Sequence, residues 1–123
     1  MIVLSYIIKN MGILKTINLE LGRPTVDEAL KKFSNELKNA KKNNIACLLL
    51  IHGYGSHGKG GLIRTAIREE LVDLKDKNQI KTIVYGEDFK ILNNDANKLR
   101  HKYDELEYLF HMTNKGVTVV EIE

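Results

Sequence analysis

The residues with the clearest chemical character lie in the segment LLLIHGYGSHGKGGLIR, residues 48–64. Five glycines fall within the nine residues 53–61, and Lys59 and Arg64 add positive charge. Glycines allow backbone amides to approach an anion closely, and the helix that follows carries a partial positive charge at its N-terminus. The segment therefore predicts a loop that binds phosphate or another polyanion. The alternative is a flexible connection without a ligand, although so many glycines are costly in conformational entropy.

Two well-known phosphate-binding motifs match this loop only in part. Gly53, Gly55 and Gly58 have the spacing G-x-G-x-x-G of a dinucleotide fingerprint, but no acidic residue ends a strand about 20 residues further on. Gly53 to Lys59 reads G-x-x-x-x-G-K, but Gly60 replaces the Ser or Thr that would hold magnesium in a P-loop. Neither motif is complete, so only their shared physical feature, the anion-binding loop, is predicted.

His52 lies where an apolar strand ends and the glycine loop begins. A histidine at this point suits a general acid/base or a phosphate donor, and it equally suits a residue that organises the loop by hydrogen bonding. Both interpretations stay open. The spacing of the other histidines does not match a metal site, and we expect no structural zinc and no bound cofactor.

The hydrophobic pattern predicts an α/β fold. Thr25 and Glu28 form a capping box that starts a helix, and the apolar run 45–51 is typical of a central strand buried on both faces. We predict a two-layer β-α-β-α-β sandwich with a four- or five-stranded mixed sheet, the first two strands being joined by a right-handed crossover. The predicted strands cover 13–21, 45–51, 80–86 and 116–123, and the predicted helices cover 25–43, 62–74 and 95–110.

Composition limits the classes of protein to consider. The 123 residues suffice for one domain, and the net charge of +3 permits binding to a polyanion without requiring it. The single cysteine, Cys47, lies in an apolar run and is expected to be buried, which favours a reducing, cytoplasmic location. No apolar stretch approaches the ~20 residues of a membrane span, so no membrane association is expected. Residues 1–12 are expected to be an N-terminal extension or an edge strand, of which residues 1–10 are an accessory segment or a mis-assigned start.

The glycine loop and its flanks resemble the Smr (small MutS-related) domain family. The resemblance lies in the histidine-glycine motif H-G-x-G-x-G after the second strand, here His52, Gly53, Gly55 and Gly58, followed by Leu62 and Arg64 at a helix start. It extends over roughly residues 14–122, so residues 13–123 are expected to form one Smr-like domain. The resemblance implies a fold similar to the C-terminal domain of translation initiation factor 3. It also implies binding to DNA or RNA, endonuclease activity in several members, and for some members action at ribosomes.

The first strand departs from the family pattern. Its usual ending, L-D-L-H-G, is replaced by INLELGRPT, so that Asn18 and Glu20 occupy the positions of the acidic residue and the histidine. The departure affects the expected nuclease chemistry more than the fold or the anion-binding loop.

Three functional hypotheses follow. The first is a nucleic-acid-binding domain whose phosphate contacts are extended by Lys38, Lys41 and Lys42; its sequence specificity should be poor, because no exposed aromatics alternate with the basic residues. The second is a phosphodiester hydrolase, with a divalent metal as an optional cofactor. The third is a protein-interaction module without catalysis. The candidate catalytic residues are His52 and Glu20, and the candidate phosphate-binding residues are Gly53, Gly55, Gly58, Lys59, Gly60 and Arg64.

Overall fold

The computed structural model describes residues 12–55 and 60–123, which form one α/β unit. The predicted extension therefore lies outside the described residues, except for Gly12. Within the described ranges, no helix is both long enough and apolar enough to span a membrane. The strands are β1 (Leu14–Asn18), β2 (Cys47–Ile51), β3 (Thr82–Tyr85) and β4 (Val117–Glu121), and the helices are α1 (Val26–Lys42), α2 (Gly60–Asp76) and α3 (Asn94–Lys102). Two 3-10 helices, Gly86–Asp88 and Asp104–Phe110, complete the set of elements.

The four strands form one mixed sheet with the order β1-β2-β4-β3. β1 pairs with β2 in parallel, whereas β4 pairs antiparallel with both β2 and β3. The predicted mixed sheet and the central position of β2 are confirmed, and Cys47 is fully buried in β2 as expected. Because β1, β2 and β3 run in the same direction, their carboxyl ends meet at one edge, here called the carboxyl edge, together with the start of β4.

Both faces of the sheet are covered. α1 and α2 cover one face around Phe33, Ile67 and Leu71, and this is the layer that the helical periodicity predicts. The chain after Gly86 adds a third layer on the other face, where Leu99, Leu106 and other apolar side chains pack against Leu49 and Val119. The predicted capping box at the start of α1 is present, because Thr25 Oγ1 accepts a hydrogen bond from Glu28 N and Thr25 N donates to Glu28 Oε1.

The single helix predicted over residues 95–110 is wrong. α3 ends at Lys102, Tyr103 is extended, and a 3-10 helix follows from Asp104 to Phe110. The buried residues Tyr103, Leu106 and Leu109 repeat every three positions. This is the period that brings side chains into line on a 3-10 helix, so packing of this triplet selects the tighter form.

β1 is shorter than predicted and ends at Asn18. The side-chain oxygen of Asn18 accepts hydrogen bonds from Glu20 N and Leu21 N, both at 3.0 Å, which turns the chain away from the strand direction. Gly22 and Arg23 then adopt positive φ angles of 83° and 52°. The turn places Glu20 at the carboxyl edge.

Candidate functional site

The carboxyl edge brings together segments that are far apart in the sequence. The turn after β1 carries Glu20, and the segment after β2 carries the residues from His52 to Gly55. Both His52 N and Gly53 N donate hydrogen bonds to Gly116 O, at 3.0 and 3.1 Å, which ties this segment to the start of β4. The site is therefore positioned by the sheet itself.

Gly53 is favoured by its backbone conformation and by the close approach of a neighbouring side chain. Its φ angle is +73°, a region that side chains rarely adopt. A β-carbon at this position would also collide with Oε2 of Glu20. The candidate catalytic carboxylate thus lies directly against the backbone of the histidine-glycine loop, on an exposed residue.

His52 is fully buried, and both of its ring nitrogens have partners. Nδ1 lies 2.7 Å from Gly53 O, and because a carbonyl only accepts, Nδ1 carries the hydrogen. Nε2 therefore accepts a hydrogen bond from the hydroxyl of Thr118, 2.8 Å away. Burial lowers the pKa of His52 to about 4; the hydrogen bond to Gly53 O acts in the opposite direction, and the charges of Arg68 and Arg64 lower it further.

These contacts favour one of the two interpretations of His52. A neutral imidazole whose two nitrogens are already bonded inside the protein presents neither nitrogen to a ligand. The geometry supports a histidine that organises the loop, and its assignment as a catalytic residue stays a prediction.

Arg68, on α2, links Thr118 to Glu87, which follows β3. Its Nε donates to Thr118 Oγ1 at 3.0 Å, and its two terminal nitrogens donate to the two oxygens of Glu87 at 2.8 and 2.7 Å. Its guanidinium also lies 4.0 Å from the centre of the Tyr85 ring. Burial raises the pKa of Glu87, but hydrogen bonds and the charges of Arg68 and Arg64 outweigh that effect and hold the pKa below its ordinary value.

The result is a continuous chain of contacts, here called the loop network. It runs from Glu87 through Arg68 and Thr118 to His52 and ends on the carbonyl of Gly53. Paired, bidentate contacts of this kind fix geometry as well as contributing energy. The loop backbone is therefore held in place by side chains from α2, β4 and the segment after β3.

A shallow pocket of about 440 Å³ opens beside the loop network. Arg64 and Lys115 both line it, one from the start of α2 and one from the residue pair that precedes β4. Arg68 contributes to the pocket too, but its charge is neutralised by Glu87. The remaining lining residues are Thr65, Glu69, Val72 and Tyr85.

The structure places the predicted phosphate-binding residues as follows. Gly53 and Gly55 lie at the carboxyl edge after β2, Arg64 lines the pocket from α2, and Gly60 is the first residue of α2. A β-carbon on the next residue, Gly61, would lie 3.8 Å from Gly55 Cα, so the start of α2 adjoins the loop. Gly58 and Lys59 lie outside the described residues.

The expected extension of the phosphate contacts by lysines of α1 is wrong. Lys38, Lys41 and Lys42 occupy the last turns of that helix, and Lys41 Nζ donates to Gln79 beyond the far end of α2. Since α1 returns antiparallel to the strands, these lysines lie at the opposite edge of the sheet. Helical periodicity assigned them to a face but did not indicate which end of the molecule they occupy.

Sequence reasoning missed several residues of the site. Thr118, Arg68 and Glu87 are separated by at least 19 positions, and no short motif links them. Lys115 is a single basic residue in a turn. Tyr54 is 55% exposed between the loop glycines, so the site does contain an exposed aromatic side chain.

No group of three or more His, Cys, Asp or Glu side chains suited to hold a metal ion occurs among residues 12–55 and 60–123. The buried thiol of Cys47 has its pKa raised by burial and by the charges of Glu121 and Glu105, with Lys102 acting in the opposite direction. Such a thiol is not nucleophilic at neutral pH.

Comparison with known proteins shows which family and which solved structure this chain is similar to. A family model described as the Smr domain matches residues 19–87, more than half of the chain and nearly all of the loop network. The crystal structure of the Smr domain of MutS2 from Thermus thermophilus is similar to this chain, with a TM-score of 0.53, 24% identity and coverage of 89% of this chain and 98% of that one. At this identity the structural likeness shows the fold alone. A search of curated proteins gives no significant match.

Proposed function

The chain belongs to the Smr domain family, as its histidine-glycine loop predicts, and from this premise we propose that it binds nucleic acid by its phosphates at the carboxyl edge. Smr domains are generally nucleic-acid-binding or nuclease-related. The proposed contacts are those predicted from the sequence, Gly53, Gly55, Gly58, Lys59, Gly60 and Arg64, together with Lys115, which lines the same pocket as Arg64.

The observation that carries the proposal is the convergence of Arg64 and Lys115 on one pocket, which Arg68 and Glu87 of the loop network also line. Arg68 is committed to Glu87, so it supports the loop rather than a ligand. The first turn of α2 contains no acidic residue that would offset the partial positive charge of the helix N-terminus. Arg64 and Lys115 thus line one pocket, which also contains the carboxylate of Glu69, and the N-terminus of the helix that carries Arg64 adjoins Gly55.

The loop network fixes the part of the proposed site around Gly53. Because His52 is neutral and bonded on both sides, it fixes the backbone of Gly53 without adding charge. Gly53 and Gly55, with φ angles of +73° and +85°, allow a path that other residues would resist. A backbone held in advance at Gly53 loses little conformational entropy when a phosphate binds there.

Fluorescence anisotropy of a dye-labelled short RNA, and of a DNA of equal length, tests the proposal. The variant Arg64→Ala/Lys115→Ala should weaken binding at low salt by about tenfold or more, because two phosphate contacts are lost. The matched control is Lys41→Ala/Lys42→Ala, which removes the same charge at the opposite edge and should leave affinity within about twofold.

Equal losses in both double variants would show that net charge, rather than this site, governs binding. Absence of binding by the unaltered protein to either strand would overturn the proposal and favour the protein-interaction module.

Cleavage of the bound strand is a second candidate function, and the position of Glu20 favours it. This carboxylate is exposed and lies against Gly53, close to where the proposal places a phosphate. Glu20→Gln should abolish cleavage while leaving binding intact. Cleavage that persists in this variant at an unchanged rate would exclude Glu20 as a catalytic residue.

A further inference from the structure

Tyr54 has a large aromatic ring that the fold leaves in solvent. It is 55% exposed and lies in the histidine-glycine loop between Gly53 and Gly55. It belongs to neither of the two hydrophobic clusters that cover the sheet. Its exposure therefore has no explanation in the packing of the described residues.

The ring is nevertheless held in position. Gly116 lies beneath one edge of it, since a β-carbon on Gly116 would lie 3.4 Å from Tyr54 Cδ1. The backbone of Tyr54 adjoins the start of α2, where a β-carbon on Gly61 would lie 3.7 Å from Tyr54 O. The ring of Tyr54 thus lies against the residue next to Lys115, and its backbone adjoins the first turn of the helix that carries Arg64.

We propose that Tyr54 stacks on an unpaired nucleobase whose backbone phosphates lie at Arg64 and Lys115, so that the site prefers single-stranded over double-stranded nucleic acid. The inference rests on the proposed phosphate-binding function and specifies the preferred ligand, a single-stranded nucleic acid. A half-exposed aromatic ring with one edge against the backbone is suited to base stacking, and in a duplex the bases are already stacked on their neighbours. Stacking occurs with any base, so a single ring gives strand preference with little sequence specificity.

The test compares oligonucleotides with and without bases. The unaltered protein should bind a short single strand about tenfold more tightly than an abasic strand of equal length, a ratio that corresponds to ~1.4 kcal/mol. Tyr54→Ala should bind both strands alike, at the affinity of the abasic complex. Tyr54→Phe, which keeps the ring, should bind like the unaltered protein.

Two further measurements separate stacking from a change in loop shape. Tyr108→Ala removes a 42% exposed tyrosine from the second 3-10 helix. It should leave the affinities for the normal and the abasic strand unchanged. Because the chain contains no tryptophan, Tyr54→Trp supplies a specific probe whose fluorescence should be quenched by the single strand and not by the abasic one.

The outcomes distinguish this inference from the function on which it rests. Equal weakening of Tyr54→Ala toward the abasic and the normal strand would overturn stacking while leaving phosphate binding intact. Failure of the unaltered protein to bind any of these strands would overturn the proposed function itself.

Discussion

Buried polar side chains lie near the two ends of β4, and they are stabilised in different ways. Thr118, near the start, is bonded to His52 and Arg68, and these contacts continue to the backbone of the loop. Glu121, at the end, accepts hydrogen bonds from Thr82 at 3.0 Å and from Lys102 at 2.7 Å, and Lys102 itself is partly exposed. The contacts of Thr118 lead to the loop, whereas those of Glu121 lead to a cation at the surface.

This difference separates a site from a structural contact. At Glu121, the charge is neutralised locally by Lys102 and Lys81, and its side-chain contacts do not extend to the loop. At Thr118, the hydrogen bonds connect β4 to α2 and to His52. These contacts hold the backbone at Gly53 in place. We therefore expect changes in the loop network to affect both stability and binding, and changes at Glu121 to affect stability alone.

The largest effect is expected from Arg68→Leu. It leaves the carboxylate of Glu87 without its bidentate partner and removes the donor to Thr118, so unfolding free energy should fall by about 3 kcal/mol. Urea denaturation at neutral pH measures the loss. Glu87→Gln, which keeps hydrogen-bonding groups in place, should cost less than Arg68→Leu; a larger cost would mean that the carboxylate charge, rather than the network geometry, dominates.

The pH dependence of stability tests the environment of His52. Burial, aided by the charges of Arg68 and Arg64, lowers its pKa to about 4 in the folded protein, against 6.5 for a free histidine. The unfolded chain therefore takes up the proton first, so stability falls as the pH drops below 6.5. The expected loss is about 2 kcal/mol between pH 8 and pH 5.

His52→Gln should remove most of that slope, as measured by urea denaturation across the same range. Glu87, whose pKa is also lowered, contributes only as the pH falls through the ordinary carboxyl pKa and below it. A slope that survives in His52→Gln would contradict the assignment to this residue.

A smaller effect is expected from Gly53→Ala. The positive φ angle costs about 1–2 kcal/mol for a residue with a β-carbon, and the methyl group collides with Glu20. Thermal unfolding of the single variant and of Gly53→Ala/Glu20→Ala separates the two causes. The second substitution should recover only the part due to the collision, and full recovery would show that backbone strain is negligible here.

The smallest effect is expected from Lys102→Met at the other end of β4. Glu121 keeps its contacts with Thr82 and with Lys81, 3.9 Å away, so stability should fall by about 1 kcal/mol or less. Affinity for nucleic acid should not change, and a loss of affinity would show that the two ends of β4 are coupled.

Local patterns were sufficient to predict much of this fold. The capping box of α1 and the continuous apolar run of β2 depend on neighbours in sequence, and both predictions are confirmed. The break at Tyr103 was missed because the buried residues Tyr103, Leu106 and Leu109 have a spacing of three, which an α-helix also allows. The third layer was missed because it depends on which face of the sheet remains uncovered.

Only the site residues that are close together in the sequence could be predicted. The glycines and Arg64 follow one another closely, so the loop could be identified from spacing and from family resemblance. Lys115 and Arg68 reach the loop through the sheet topology, which spacing does not reveal. The choice between two roles for His52 required its burial and the partners of both nitrogens.

The central claim is that phosphates bind at the carboxyl edge, and the salt dependence of affinity tests it most directly. For the unaltered protein the logarithm of affinity should fall linearly with the logarithm of salt concentration. Loss of two phosphate contacts in Arg64→Ala/Lys115→Ala should reduce the magnitude of that slope by about 1.4–1.8. The slope of Lys41→Ala/Lys42→Ala should stay unchanged. Equal slopes in all three proteins, or an equal reduction in both double variants, would contradict the account.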